Sequence, residues 1–245
     1  MPRFYVPAPL APALTIDLPP GAARHAQVLR LQPGDGVTLF NGQGGQWAAR
    51  VARMGKSAVT VQTLAHQAVE REAARPVHLA VGWMAAERLD WLIEKAVELG
   101  AASFTPVITA RTQQRLTDTR ADKKRGHWQA VAAAASEQCG RNRLMAIRAP
   151  LPLQTLMSSS AAANAPNVPA RWLLSLTVDA APLRAVFNAL PPGAPVTLLS
   201  GPEGGFTDEE LAGAQATGWR SVALGARVLR AETAPLAALA VLTAL

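Results

Sequence analysis

Cysteine is almost absent, Cys139 standing alone among 245 residues. One thiol excludes a disulfide framework and suits a reducing compartment, so a cytoplasmic location is expected. Aromatic residues are scarce too, at 5% with a single tyrosine, and charged residues reach only 17% against 49% hydrophobic ones. That balance excludes a self-repelling disordered chain and leaves ample material for a core. No apolar run has the length of a membrane span, and the opening MPRFYVPAP lacks the hydrophobic region of a signal peptide, so no membrane partner is expected. Four scattered histidines and one cysteine offer no metal-ligand spacing, and no metal is expected. Cys139 falls within a helical pattern and is expected in the core.

Arginine, by contrast, is abundant. The net charge is +7, and 20 of the 24 basic residues are arginine. The excess is uneven. Residues 1–75 carry eight basic and four acidic side chains, 76–150 eleven and seven, and 151–245 five and six. Between 111 and 148 there are nine basic residues and three acidic ones. Such asymmetry points to a polyanionic partner, and the guanidinium fork suits phosphate.

The order of elements divides the chain. A short strand at 3–6, a helix at 22–31 and strands at 37–40, 46–54 and 57–64, with a hairpin signal at Asn41-Gly42, describe a small β-barrel over residues 1–70. A polar stretch, 65–75, reads as a linker. Beyond it the period changes: strands are expected at 77–81, 102–108, 144–147, 171–176, 195–200 and 221–224. Helices are expected at 87–99, 118–139 and 181–190, closed by an apolar helix from Thr233 to Leu245. Leu89, Leu92, Ile93, Ala96 and Val97 form one stripe, with Gly100 as terminator. Residues 157–170 read as a surface loop. Alternating strands and helices over 71–245 imply an α/β domain with a parallel sheet. The closing helix has no polar face, so it is expected to be buried either in the fold or against a second subunit, and a homodimer contact is the preferred reading.

Two glycine loops near the end carry the chemistry. The apolar run 195–200 enters Gly201-Pro202-Glu203-Gly204-Gly205, and Thr207 stands at capping-box spacing from Glu210. The strand at 221–224 is broken by Gly225 before the last helix. Two strand ends opening into glycine loops describe a ligand crevice at the edge of a parallel sheet, and Glu203, Arg227, Arg230 and Glu232 crowd beside it. Neither loop has the Walker A or dinucleotide spacing.

GPEGGF at 201–206 with LGARVLRAETA at 224–234 resembles the RsmE family of 16S rRNA uridine-N3 methyltransferases, of the SPOUT (α/β-knot) superfamily. Supporting blocks are Arg3-Phe4-Tyr5, His25 with Val28-Leu29-Arg30, Glu94 to Gly100, Arg111, and Ala135 to Gln138 with Arg141. The resemblance implies a PUA-like β-barrel followed by a knotted, Rossmann-like parallel-sheet domain. It implies a homodimer, S-adenosyl-L-methionine as cofactor, and 16S rRNA of the small ribosomal subunit as substrate. The cofactor positions it implies are Leu176, Leu199, Ser200, Gly201, Pro202, Glu203, Gly204, Gly205, Leu224, Gly225, Val228, Leu229, Arg230 and Thr233. Leu199, Leu224 and Leu229 would wall the adenine. Arg230 and Glu232 are the expected catalytic pair, the first steadying charge on a uracil carbonyl and the second accepting or orienting the N3 proton. A structural ion pair between them, and a loop-holding role for Glu203, are the competing readings. Candidate RNA contacts are Arg3, His25, Arg30, Arg88, Arg111 and Arg141, with Arg50, Arg53 and Lys56 nearby in sequence. Two other functions fit the pattern: a related enzyme acting on another rRNA or tRNA position, and a non-catalytic RNA-binding assembly protein.

Overall fold

Alternating apolar residues between Val37 and Gln67 build the first part of the molecule. A computed structural model describes residues 1–112, 118–158 and 168–244. The chain divides into two compact units, residues 1–72 with 133–144 and residues 73–132 with 145–245. In the first unit β1 (Arg3–Tyr5), β2 (Thr15–Asp17), β3 (Gly36–Phe40), β4 (Gln46–Met54) and β5 (Val59–Gln67) form a sheet in the order β1-β3-β4-β5-β2. Ala49 and Val51 on β4, and Val59 and Val61 on β5, point inward at period two and bury beside Phe4, Val37 and Leu39. A single helix, α1 (Pro20–Val28), adds Ala22, Ala23 and Ala26 to that core.

Two features of this unit differ from the sequence reading. Helix α1 begins at Pro20 and ends at Val28, not 22–31, because proline is compatible with the first helical turn. Strand β2 was not expected. Its Ile16 pairs with Val61, and the turn before it is anchored by the buried Thr63 hydroxyl, which accepts from Leu14 N at 2.8 Å.

The second unit is α/β. Its strands are β6 (Val77–Gly82), β7 (Ser103–Ile108), β8 (Ala146–Ile147), β9 (Leu151–Pro152), β10 (Ala170–Leu174), β11 (Ala181–Pro182), β12 (Val196–Ser200) and β13 (Arg220–Ala223). Every pairing is parallel, in the order β11-β13-β10-β12-β6-β7-β8, with β9 beside β7. Helices are α2 (Ala86–Glu98), α3 (Asp118–Cys139), α4 (Leu153–Ser158), α5 (Leu183–Asn188), α6 (Asp208–Ala216) and α7 (Thr233–Thr243). Helix α3 runs unbroken from this unit into the first, which holds its residues from Ala133 onward.

The stripe on α2 is buried as expected, at Leu89, Leu92, Ile93, Ala96 and Val97. Each large aliphatic so buried contributes roughly 1.5–3 kcal/mol. Trp128 is fully buried edge-on to Trp83, centroids 5.3 Å apart, and its indole N–H donates to Asp90 Oδ1 at 2.9 Å. That bond satisfies the one polar atom of the Trp128 side chain.

The expected strand at 144–147 shrinks to two residues, and the helix at 181–190 to Leu183–Asn188. The loop expected over 157–170 is helical at Met157 and Ser158 and enters β10 at Ala170, while 159–167 lie outside the described residues. Cys139 ends α3 half-buried, not in the core. Among the described residues no helix is long and apolar enough to cross a membrane, and no group of three His, Cys, Asp or Glu side chains could hold a metal.

Candidate active site

Strands β13, β10 and β12 lie side by side and run the same way, so the loops after them converge. They enclose a cleft of about 730 Å³, within the range of small-molecule sites. Leu174, Leu176, Val222, Leu224, Val228 and Leu229 make an apolar wall, joined by Phe206 and Leu211. Arg88, Glu203, Arg227 and Arg230 supply charge at its edge.

The glycine loop is shaped by close approach and held from two sides. A Cβ on Gly82, the last residue of β6, would stand 2.3 Å from Pro202 N, so the loop can lie there only against a bare backbone. Gly205 takes φ 68°, a left-handed turn closed by its N–H donating to Pro202 O at 2.9 Å. The capping box is complete: Thr207 Oγ1 accepts from Glu210 N at 3.2 Å, and Glu210 Oε2 accepts from Thr207 N at 2.9 Å. The other Glu210 oxygen accepts from Ala110 N at 2.7 Å, and Arg111 donates to the Gly204 carbonyl. Residues 110–111 thus brace the loop.

A second hollow of about 340 Å³ shares Arg88 and Arg230 with the cleft and is completed by Glu87, Trp91, Glu232 and Thr233. Arg88 Nη1 lies 3.4 Å from Glu203 Oε1 and 3.7 Å from Glu232 Oε2. Glu232 precedes α7 without capping it, and its side chain is only 12% exposed. Its Oε2 is buried with no hydrogen-bond partner. A buried carboxylate oxygen with an ion pair too long for a hydrogen bond keeps an open acceptor position.

Of the residues expected at a cofactor, Leu176, Ser200, Gly201, Pro202, Glu203, Gly205, Leu224, Val228, Leu229 and Arg230 line the cleft. Leu199 does not. It is fully buried with Ala80, Leu173 and Trp219 beneath the cleft, since strands covered on both faces are apolar throughout and periodicity cannot tell the two sides apart. Gly204 and Gly225 shape the loops without lining the cleft, and Thr233 lines the second hollow. The carboxylate of Glu232 pairs with Arg88, not with Arg230.

The RNA candidates separate sharply. Arg141 is 4% exposed and donates through Nε to Glu72 at 3.0 Å, so it is a structural ion pair and not a surface contact. Arg3 is half spent on Gln46 and Asn142, at 2.6 and 2.7 Å, and stacks over Phe40. Burial lowers the pKa of its guanidinium. Arg111 is engaged by the glycine loop. His25, edge-on to Phe4, and Arg30 remain exposed on the first unit, and Arg88 is 44% exposed on the second. Sequence reasoning missed Trp91, which is 46% exposed. The signal was there: a large aromatic off the apolar stripe of α2, three residues after Arg88 and so on its face.

A glycine-loop cleft at the carboxyl edge of a parallel sheet, in a chain that also carries a small β unit, defines a two-unit α/β protein with a small-molecule site. Residues 71–243 match the RNA methyltransferase domain family, and residues 18–64 match the RNA methyltransferase PUA domain. The ribosomal RNA small subunit methyltransferase E of Synechocystis sp. is 34% identical over 94% of this chain and 73% of its own length. Among solved structures, the ribosomal RNA small subunit methyltransferase E of Neisseria gonorrhoeae, bound to S-adenosyl methionine, is 33% identical. It superposes with a TM-score of 0.89, covering 98% of this chain and 96% of that one. A putative methyltransferase of Legionella pneumophila, in complex with the same cofactor, is 35% identical with a TM-score of 0.89, covering 99% and 96%. The chain belongs to the ribosomal RNA small subunit methyltransferase E family.

Proposed function

We propose that this protein methylates N3 of a uridine in 16S rRNA of the small ribosomal subunit, using S-adenosyl-L-methionine. The observation that carries the reading is the cleft itself: apolar walls from three strand ends, a braced glycine loop, and at its edge a free cation beside a buried carboxylate with an open acceptor position. The cofactor fits the residues present. Leu176, Leu224, Val228 and Leu229 offer an apolar wall for an adenine, and Ser200 to Gly205 offer backbone at close range. A Cβ on Gly201 would stand 3.1 Å from the Phe206 ring, so a side chain there would have to displace that ring. When bound, the cofactor supplies a methyl group on a positively charged sulfur, open to displacement by a nitrogen lone pair.

The chain's own residues handle the rest. An imide nitrogen is protonated at neutral pH, and Glu232 Oε2 is the acceptor for that proton. Arg230 steadies the negative charge that then spreads onto the uracil carbonyls. Positioning both beside the cleft supplies the orientation that such a displacement needs. The enzyme acts in the cytoplasm as a homodimer, a second copy covering the partly buried Ala237, Ala240 and Val241 on the outer side of α7.

Nucleoside mass spectrometry of small-subunit rRNA from cells with and without the gene tests the reading, alongside calorimetry with the cofactor. One 3-methyluridine should disappear in the deletion, and the purified protein should bind S-adenosylmethionine. An unchanged 3-methyluridine, with a ribose methyl group of the same rRNA lost instead, would overturn the substrate assignment.

A further inference from the structure

The hollow between α2 and the start of α7 is under half the volume of the cleft it adjoins. Because Arg88 and Arg230 line both, an occupant of the hollow would sit next to an occupant of the cleft. Two observations restrict what that occupant is. The first is Trp91. Helix α2 buries Leu89, Leu92 and Ile93 on its other side, so the half-exposed indole adds little to the core and presents a flat apolar face to the hollow. Such a face in water is unfavourable in proportion to its area and is relieved by a planar ligand.

The second is the pattern of polar groups. Arg88 and Arg230 are donors only, and Glu232, which lines the same hollow 3.7 Å from Arg88, is an acceptor with Oε2 unbonded. The imide edge of uracil reads acceptor, donor, acceptor, which this set complements. Cytosine would set a second acceptor, its N3, against the carboxylate and place an amino donor against a guanidinium. Arg88 can make the switch, since its contacts to Glu203 and Glu232, at 3.4 and 3.7 Å, are long and partly exposed.

We infer that this hollow receives the target uracil, unstacked from its RNA, with Trp91 as the stacking surface and Arg88 reading a carbonyl. The inference rests on the proposed methyl transfer and adds the base-binding residues to it. A base held in a helix cannot reach such a pocket, so the substrate at that position is single-stranded or flipped out.

Three measurements on the intact protein test this. Stacking on an aromatic side chain is worth about 1–3 kcal/mol, so Trp91→Ala should lower kcat/KM for unmethylated small-subunit rRNA roughly 5- to 150-fold. Its affinity for S-adenosylmethionine should stay within about twofold, and Trp91→Phe should restore most of the rate. Titrating uridine 5′-monophosphate into the cofactor-loaded wild type should quench tryptophan fluorescence more than cytidine 5′-monophosphate does, and Trp91→Phe should abolish the quench. The inference is overturned if Trp91→Ala keeps the wild-type rate, or if the quench survives in Trp91→Phe. A lower sedimentation mass for Trp91→Ala would also overturn it, by placing Trp91 in a subunit contact. A wild type that neither binds the cofactor nor methylates rRNA would instead remove the underlying reading, and this inference with it.

Discussion

Charged residues behave in opposite ways in the two units. In the first, one cluster of arginines is consumed, although Arg30 stays exposed: Arg141 is buried on Glu72, Arg143 reaches Glu70 at 3.2 Å, and Arg3 is committed to Gln46 and Asn142. In the second, beside the cleft, the pairing is loose. Arg88 is shared at 3.4 and 3.7 Å, Glu232 keeps an unbonded oxygen, and among the described residues Arg227 and Arg230 make no ion pair. Tight pairs hold a fold, while loosely held charge is available to a substrate. Abundant arginine in a sequence therefore says little until its partners are known.

The largest effect should come from the loosely held charges. Glu232→Gln and Arg230→Ala should each cut methyl transfer at saturating cofactor by about 10²-fold or more, and Glu232→Gln should leave cofactor affinity nearly unchanged. Full activity in both, measured by tritium transfer from labelled cofactor, would remove their assigned roles. Breaking the tight set should act on stability instead. Arg141→Met leaves Glu72 without its partner and should cost about 3 kcal/mol in urea unfolding, with little change in turnover per folded molecule. Arg111→Ala removes one bond to the glycine loop and should weaken cofactor binding by about fivefold in calorimetry, with Arg111→Lys partly restoring it. If RNA affinity falls and cofactor affinity does not, Arg111 is an RNA contact after all. The smallest effect concerns His78, half-buried against Ser103 Oγ at 2.8 Å. Burial, and next the charge of Arg148, hold its imidazole below the ordinary value. The unfolded chain therefore takes up a proton that the folded chain resists. That contribution to stability is present above about pH 6.5 and lost as the pH falls through the lower folded value. His78→Gln should flatten the fall in Tm between pH 7 and pH 5.5.

Local signals were legible and distant partnerships were not. Glycine, proline and the Thr207–Glu210 spacing located the cleft loop, because turn chemistry and capping act over a few residues. The α2 stripe was legible for the same reason. Arg141 meets Glu72 from 69 residues away, and Arg111 meets Gly204 from 93 away, so nothing near either arginine in sequence marks it as engaged. Leu199 was misplaced because a strand buried on both faces has no polar side to set its register. The membership of residues 133–144 in the first unit left no trace either, since α3 crosses between units without a break in its pattern.

Arg88 touches both hollows, and one guanidinium cannot serve two ligands and two carboxylates independently. Whatever filling one hollow does to Arg88 must alter affinity in the other, and by thermodynamic necessity the factor is the same in both directions. Substrate order would then be written into a single side chain. An enzyme loaded with cofactor and one without it would differ in their grip on RNA, and Arg88→Gln would make them alike.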